Sequence, residues 1–473
     1  MSKELENRSK SLLNGTIVYF IGNVLTQLIS IFLLKMITGT VTTEEYGYFN
    51  LVVTVDNLIT PMITLQISDA VFRFFIKAKS DEEKMKIYSS GVSIILLGAA
   101  IICIIISSLR KIIGIRYSFW VAFYIISTNL FGFNQKIVRS LGENKRYVKA
   151  NLMKSLIYFG AILILVVKMK MGAKGLFISN CVSTYVCIMY LVLKVRTGSY
   201  FNVKKISLTQ ICEMLKFSAP LIPNTAIWWL QSSVNSLIIT SRLGIGYNGI
   251  YSVAIKFASI LHLVINVFDL AWQESAIKEY GTLYYREFVT KIFNEYLIFL
   301  LSTVAALIPF LRLIMVWLIV PSYDEAIPYI PFLLFSTALS ACSGYFAQMI
   351  VAQNRNIKLL ITNFIGAVSN ILVVYLLLPS IGIWAIVVSS VVSYCILAIS
   401  RYHEVKEDFI TKNISFNKIL MLLLFNIVSC IVFMINKTGM LIVATMFFVV
   451  LGIAFNKELL LELESVVIDK IKK

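Results

Sequence analysis

The chain has 473 residues, of which 58% are hydrophobic and only 14% charged, and its mean hydropathy is +0.83. An ordinary soluble domain carries more charge and less apolar content, so that class is excluded. The formal net charge of +18 invites nucleic acid as a partner, but its distribution between loops excludes that too.

About fourteen apolar runs follow one another, each long enough to cross a bilayer as a helix. They lie near residues 12–38, 46–72, 87–109, 117–138, 150–168, 173–194, 215–241, 248–273, 288–311, 326–352, 357–378, 382–400, 417–435 and 438–455. Membrane-barrel strands would show ten-residue alternation instead. The first run follows the polar segment MSKELENRSK. It is too long for a signal-peptide core and no small-x-small cleavage site follows it, so it is expected to remain as the first membrane helix.

Numbering the loops alternately from an inside N-terminus gives the inside set about three times as many Lys and Arg residues as the outside set. Lys77, Lys79, Lys84 and Lys86 share one inside loop, and Arg139, Lys145, Arg146 and Lys149 the next. The positive charge therefore encodes topology, with both termini in the cytoplasm. The seven cysteines have no CxxC spacing and no disulfide framework is expected. His262 and His403 form no metal-ligand spacing, so neither a metal nor a cofactor is expected.

The chain also repeats itself. ITGTVTTEEYGYFNLVVTV at 37–55 matches ITSRLGIGYNGIYSVAIKF at 239–257, pairing Gly47 with Gly249 and Phe49 with Tyr251. SLGENKR at 140–146 matches IVAQNRN at 350–356, and MGAKGLFIS at 171–179 matches IGIWAIVVS at 381–389, pairing Gly172 with Gly382. Spans 1–6 thus correspond to spans 7–12. Because six is even, the halves share one orientation and a pseudo-twofold along the membrane normal, with a substrate site expected between them. The expected architecture is all-α and polytopic. An N-lobe occupies 1–196, a cytoplasmic linker 197–214 and a C-lobe 215–405, while 406–473 holds two extra helices and a cytoplasmic tail.

Polar stripes mark the first hairpin of each lobe. At 100° per residue, Ser259, His262, Asn266, Asp269 and Gln273 in span 8 fall within about 80°, with Lys256 one turn earlier. Asn224, Trp228, Gln231 and Asn235 of span 7 fall within about 60°, as do Thr16, Asn23, Gln27 and Ser30 of span 1. Span 2 adds Asp56, Asn57, Thr60, Thr64 and Ser68, followed by an Asp69–Arg73 pair at i,i+4. Single hydroxyls and amides in membranes commonly bond helix to helix. An ionised group is different: it costs at least ~2.5–3.5 kcal/mol at midplane and faces a cavity or a partner. Lys256 and Asp269 can fill either role, and can also pair with each other. His262 is expected as a hydrogen-bonded core residue, while Lys35 and the Asp69–Arg73 pair can snorkel. Pro220 and Pro223 break or kink the start of span 7.

FSAPLIPNTAIWW, NGIYSVAIKF and AWQESAIKEYG, sharpest over 215–281, resemble the second lobe of Wzx-type oligosaccharide flippases. That family belongs to the superfamily of multidrug and toxin extrusion proteins and lipid II flippases. Where family members often have Asp-Arg, this chain has Asn235-Ser236, and Ile255 stands where they have Asn; the lysine remains as Lys256 and Trp272-Gln273-Glu274-Ser275 is intact. The resemblance implies a V-shaped alternating-access transporter in the bacterial cytoplasmic membrane. Its implied substrate is an undecaprenyl-pyrophosphate-linked oligosaccharide, and its implied partners are membrane lipid, a polysaccharide polymerase and glycosyltransferases. Coupling to H+ or Na+ is left open.

Two other classes fit less well. The longest outside loop, near Arg312–Glu325, is too short for a polymerase domain, and no Asp-x-Asp cluster marks a glycosyltransferase. A cation-coupled drug antiporter wants an acid in the first span, where this chain has Asn23 and Gln27.

The charge asymmetry predicts that cysteines placed at Glu44 and Lys79 face opposite sides. An impermeant thiol reagent applied from outside is expected to label the first only; labelling of the second alone would invert the topology.

Overall fold

The computed structural model describes residues 25–26, 29–30, 32–353 and 355–457. Among them every regular element is a helix. Hydrocarbon supplies no water to backbone N–H and C=O groups, so a chain this apolar satisfies them within helices. The chain divides into two compact units, Met1–Gly249 and Ile250–Lys473.

The first unit begins, after helical residues 32–38, with α1 (Thr43–Ile63) and α2 (Ile67–Lys77), bent by 57° at their junction. Leu65 and Gln66 take φ of 50° and 51° there, one turn after Pro61. Next come α3 (Asp81–Ile113), α4 (Ser118–Ser140), α5 (Asn144–Ile162, running on as a π-helical stretch Leu163–Lys168) and α6 (Gly172–Lys194). A capping box sets the start of α3: Glu83 N donates to Ser80 Oγ at 3.2 Å, and Lys79 N donates to Glu83 Oε2 at 2.8 Å. Short α7 (Leu208–Ser218) and α8 (Ile222–Arg242) follow. The apolar run 215–241 is thus not one helix. A 3-10 turn at Ala219–Leu221 divides it, and both Pro220 and Pro223 stand at helix starts, where a missing donor costs nothing.

The second unit takes up α9 (Ile245–Ala258), whose first turn belongs to the first unit, then α10 (Leu261–Glu279), α11 (Tyr285–Leu318), α12 (Ile330–Ala352), α13 (Asn356–Ile381), α14 (Trp384–Val405), α15 (Phe416–Ile435) and α16 (Thr438–Phe455). Every apolar run from the second to the fourteenth falls on helix. Nine helices among the described residues are long and apolar enough to cross a bilayer alone, and the bent α1–α2 pair passes jointly. Spans 7 and 8 are interrupted, the latter at Ser259–Ile260 between α9 and α10. The first span lies mostly outside the described residues.

The repeat shows in local geometry. Gly172 and Gly382 both take φ of +55°, and both precede or open a helix. Gly47 and Gly249 meet each other, where α1 crosses the first turn of α9. A Cβ on Gly47 would strike the Ile245 carbonyl, and one on Gly249 the Thr43 carbonyl; the other glycine's nitrogen lies 2.9 and 3.1 Å from those positions. Only glycine permits backbones this close.

The segment expected as a linker, 197–214, is bound along the first unit. Asn202 N and Ser207 N donate to Ser89 Oγ and Ser90 Oγ at 2.9 and 3.1 Å, Thr197 Oγ1 donates to Asn134 Oδ1 at 2.9 Å, and Lys205 pairs with Glu82. Met214 of α7 enters the core of Ile67, Val71, Phe75, Phe133 and Ile137. This continuity carries the first unit past 214, into α8 and the start of α9. In the second unit α15 and α16 pack on α11, where Asn426 Nδ2 donates to Leu301 O at 3.0 Å and Asn456 Nδ2 to Ser302 Oγ at 3.0 Å.

Gly47→Leu and Gly249→Leu are each expected to push apart the crossing. Overpacking of this kind costs about 1–3 kcal/mol, or roughly 2–4 °C in thermal midpoint per kcal/mol. Gly160→Leu, at a position with open space around its Cβ, is the control and should move the midpoint far less in the same detergent melt.

Candidate functional site

In the first unit the acid of span 2 is buried. Asp56 is 6% exposed, and it accepts hydrogen bonds from Thr60 Oγ1 at 2.6 Å and from Thr128 Oγ1 of α4 at 3.0 Å. Lys154 of α5 lies within electrostatic reach of the carboxylate, as does Tyr124 of α4. The Lys154 ammonium also sits 4.7 Å over the Phe131 ring. A carboxylate bonded twice and faced by a half-buried amine is compensated within its own unit, so Asp56 is held rather than offered. Asn57, the next residue, is exposed.

The expected Asp69–Arg73 pair does not form. Asp69 instead meets Lys136 of α4 at 2.5 Å, and the Arg73 guanidinium stacks 4.2 Å over Phe217 of α7. On α2 the two side chains sit one turn apart, but α4 and α7 present nearer partners to each.

On α8, Asn235 is buried at 4% exposure. Its neighbour Ser236 donates to Asn248 Oδ1 at 2.6 Å, and Asn248 Nδ2 donates to Gly47 O at 3.2 Å, so this end of the helix is tied to the glycine crossing. Trp229 Nε1 donates to Thr54 O at 2.8 Å and Gln66 bonds Thr225, both joining α8 to the bent α1–α2 pair. The side chains of Asn224, Trp228 and Gln231 lie outside the described ones, and Asn23 and Gln27 outside the described residues.

In the second unit the polar face of span 8 is present on α10. His262, Asn266 and Gln273 are exposed and Asp269 is half-buried. His262 is therefore not the core residue expected of it. The helix restarts at Leu261, which is 1% exposed, and the next residue, turned 100° away, faces outward. Trp272 lies off the stripe. It is 2% exposed, stacks on Tyr345 of α12 with ring centroids 4.2 Å apart, and donates from Nε1 to Tyr345 O at 3.0 Å.

Lys256 sits in the last turn of α9, half-buried. Among the described residues its ammonium has no hydrogen bond and no ion pair, and Asp269 does not approach it within salt-bridge distance. Asp269 has one carboxylate oxygen, Oδ1, buried without a hydrogen-bond partner among the described residues. An uncompensated cation and an incompletely compensated acid thus stand on two consecutive helices of a broken span.

The family description of a polysaccharide biosynthesis protein matches residues 12–272, more than half of the chain. The chain belongs to the polysaccharide biosynthesis protein family. No curated protein matches this family member in sequence. Its fold is similar to that of the lipid II flippase MurJ in an inward closed conformation, with TM-score 0.70 and 13% identity over 95% of this chain and 100% of that one. It is also similar to a multidrug resistance MATE family transporter of the MOP superfamily in an inward-facing conformation, with TM-score 0.65 and 15% identity over 81% and 95%. The Vibrio cholerae MATE transporter VcmN in its bent form gives TM-score 0.56 and 13% identity over 85% and 97%. The polysaccharide biosynthesis protein is thus a multi-pass membrane protein with the fold of these flippases and transporters.

Two charged residues of this family member escaped the sequence reading. Lys154 stands five residues into the fifth apolar run, and a charge inside a run was the signal that could have found it. Arg401 follows the twelfth run by one residue and is 6% exposed. It donates from Nη1 to Ser343 Oγ and O at 2.6 and 3.0 Å and from Nη2 to Asn363 Oδ1 at 2.6 Å, stapling α14 to α12 and α13.

Asp56→Asn and Lys154→Met are each expected to destabilise the first unit, and the double variant to lose less than the sum. A coupling of roughly 0.5–3 kcal/mol is the range for interacting neighbours. Thermal melts of the purified variants measure it, and strict additivity would show that the two groups do not sense each other.

Proposed function

We propose that the chain is a flippase that carries an undecaprenyl-pyrophosphate-linked oligosaccharide repeat unit across the bacterial cytoplasmic membrane by alternating access, for assembly of a cell-surface polysaccharide. The observation that carries this reading is Lys256: a half-buried ammonium inside a membrane span, unpaired among the described residues, beside a helix whose polar face is exposed. An unpaired charge in that setting is costly unless a ligand completes it. The pyrophosphate of a lipid-linked sugar supplies a compact anion matched to a lysine point charge.

The family supports the polysaccharide context, and the likeness to a protein named as a lipid II flippase supports a lipid-linked substrate. The exposed His262, Asn266 and Gln273 give a glycan hydrogen-bonding partners. The prenyl tail needs no such site, because it can remain in lipid. In this reading both termini are cytoplasmic, no chemical bond is made or broken, and glycosyltransferases and a polymerase act before and after the chain. A cation-coupled solute antiporter is the second reading, favoured by the likeness to MATE transporters.

Lys256→Ala is expected to abolish export of the lipid-linked sugar at normal protein level, while Lys256→Arg retains part of it. Export is read as surface polysaccharide in a strain lacking its own transporter. Full export by the alanine variant removes Lys256 from the mechanism, and export of cationic drugs with no effect on polysaccharide favours the antiporter.

A further inference from the structure

Two loops of the first unit run against the charge asymmetry of the chain. Arg110, Lys111 and Arg116 flank the turn between α3 and α4, and Lys168, Lys170 and Lys174 flank the one between α5 and α6. Lys and Arg gather in inside loops, so six cations at the opposite ends of these helices oppose the bias that orients the chain. The first turns of α1 bring the two loops to one place. The Tyr48 hydroxyl donates to Arg116 O at 2.6 Å. One turn earlier, the Glu45 carboxylate lies against Gly172 at the start of α6, where an added Cβ would strike it.

Both loops are held. Gly114 N donates to Arg110 O at 3.1 Å, and Met171 N to Leu165 O at 3.1 Å. Tyr117 and Lys170 take φ of 54° and 52°, the left-handed region that side chains other than glycine enter sparingly. The acids at this end of α1, Glu44 and Glu45, are turned to helix starts, where negative charge is favoured. Glu45 meets α6, and Glu44 Cγ lies 3.6 Å from where a Cβ on Gly246 of α9 would stand. Among the described residues none of the six cations forms an ion pair. Five are exposed and Lys174 is half-buried. Ile112, Tyr117, Phe119 and Met169 stand exposed among them. Cations interleaved with exposed apolar and aromatic side chains at the ends of spans belong at headgroup depth.

We propose that this rim of the first unit binds the phosphates of anionic phospholipid headgroups in the outer leaflet. A headgroup phosphodiester is the anion present at that depth. Exposed cations spread over two loops suit a succession of such headgroups, and the apolar side chains between them suit the upper acyl chains. The placement in the outer leaflet rests on the topology of the proposed function; the attraction for phosphate does not.

The test places a photo-crosslinking side chain at Ile112 of the full-length chain, in nanodiscs of equal parts phosphatidylglycerol and phosphatidylcholine. Mass spectrometry identifies the captured lipid. One Lys or Arg near a surface favours anionic lipid by about fivefold, so phosphatidylglycerol is expected in about fivefold excess or more. The excess is expected to vanish when Lys111→Gln, Lys168→Gln and Lys170→Gln are combined. Equal capture by the wild-type chain overturns the proposal, as does an excess that the combined variant keeps. Capture of a second copy of the chain in place of lipid also overturns it. In membranes of cells making the polysaccharide, capture of a prenyl pyrophosphate instead of phospholipid overturns the phospholipid assignment. The side is read separately, with a cysteine at Lys111 and an impermeant thiol reagent on intact cells. Labelling is expected. Protection with the lipid excess intact overturns the outer leaflet and the topology together, whereas labelling without the excess overturns the lipid site alone.

Discussion

Inside hydrocarbon a polar group must be satisfied by the protein or by what the protein binds, because no water is at hand. That constraint sorts the charged side chains of this chain. Asp56 receives two hydroxyl bonds and faces Lys154. Arg401 is bonded to two neighbouring helices. These groups cost desolvation and recover it locally, so their role is to hold their units together. Among the described residues, Lys256 and Asp269 are not recovered in this way, although they sit in equally apolar runs. In the proposed function, the difference in satisfaction, rather than the presence of charge, separates the structural residues from the ones offered to a ligand.

The same constraint explains where helices are allowed to break. At the α1–α2 bend the freed groups are taken up by turns: Gln66 N donates to Pro61 O at 3.0 Å and Ile67 N to Thr64 O at 3.0 Å. At the start of α8 the prolines sit where donors are surplus. The glycines of the repeat act on the other side of the balance. Gly47 and Gly249 remove side chains where α1 must cross the first turn of α9, and the Asn248 amide bonded to Gly47 O seals the polar atoms at that crossing.

Much of this was legible in the sequence, because lipid imposes a single period and length on each run. The helices follow from that, and the glycine pairs of the repeat were visible as matched positions. What was not legible depended on partners distant along the chain. Asp69 has Arg73 one turn away, yet Lys136, 67 residues on, takes the carboxylate. Trp272 reads only as a member of the Trp272-Gln273-Glu274-Ser275 run, yet Tyr345 of α12 holds it in the core. The segment after α6 reads as a basic linker, and what the sequence does not show is that Ser89 and Ser90, two unremarked hydroxyls in an apolar helix, bind its backbone. The interruption of span 8 carries no proline or glycine and has no signal beyond Ser259.

That interruption bears most directly on function. Where α9 ends, Ser259 Oγ donates to Lys256 O at 2.7 Å and Ser259 N donates to Ile255 O at 2.8 Å. The backbone at the break is therefore satisfied by the chain itself. A broken helix in a membrane protein is tolerated on that condition, and broken helices gather at binding sites in transporters because the break re-aims the side chains on either side. Here the helix restarts with Leu261 turned into the core and His262 outward, which carries the polar face of α10 past the position of Lys256. Local capping thus pays for the backbone and, among the described residues, leaves the ammonium without a partner, which in the proposed function is where an anion gains what it would not find along an uninterrupted helix.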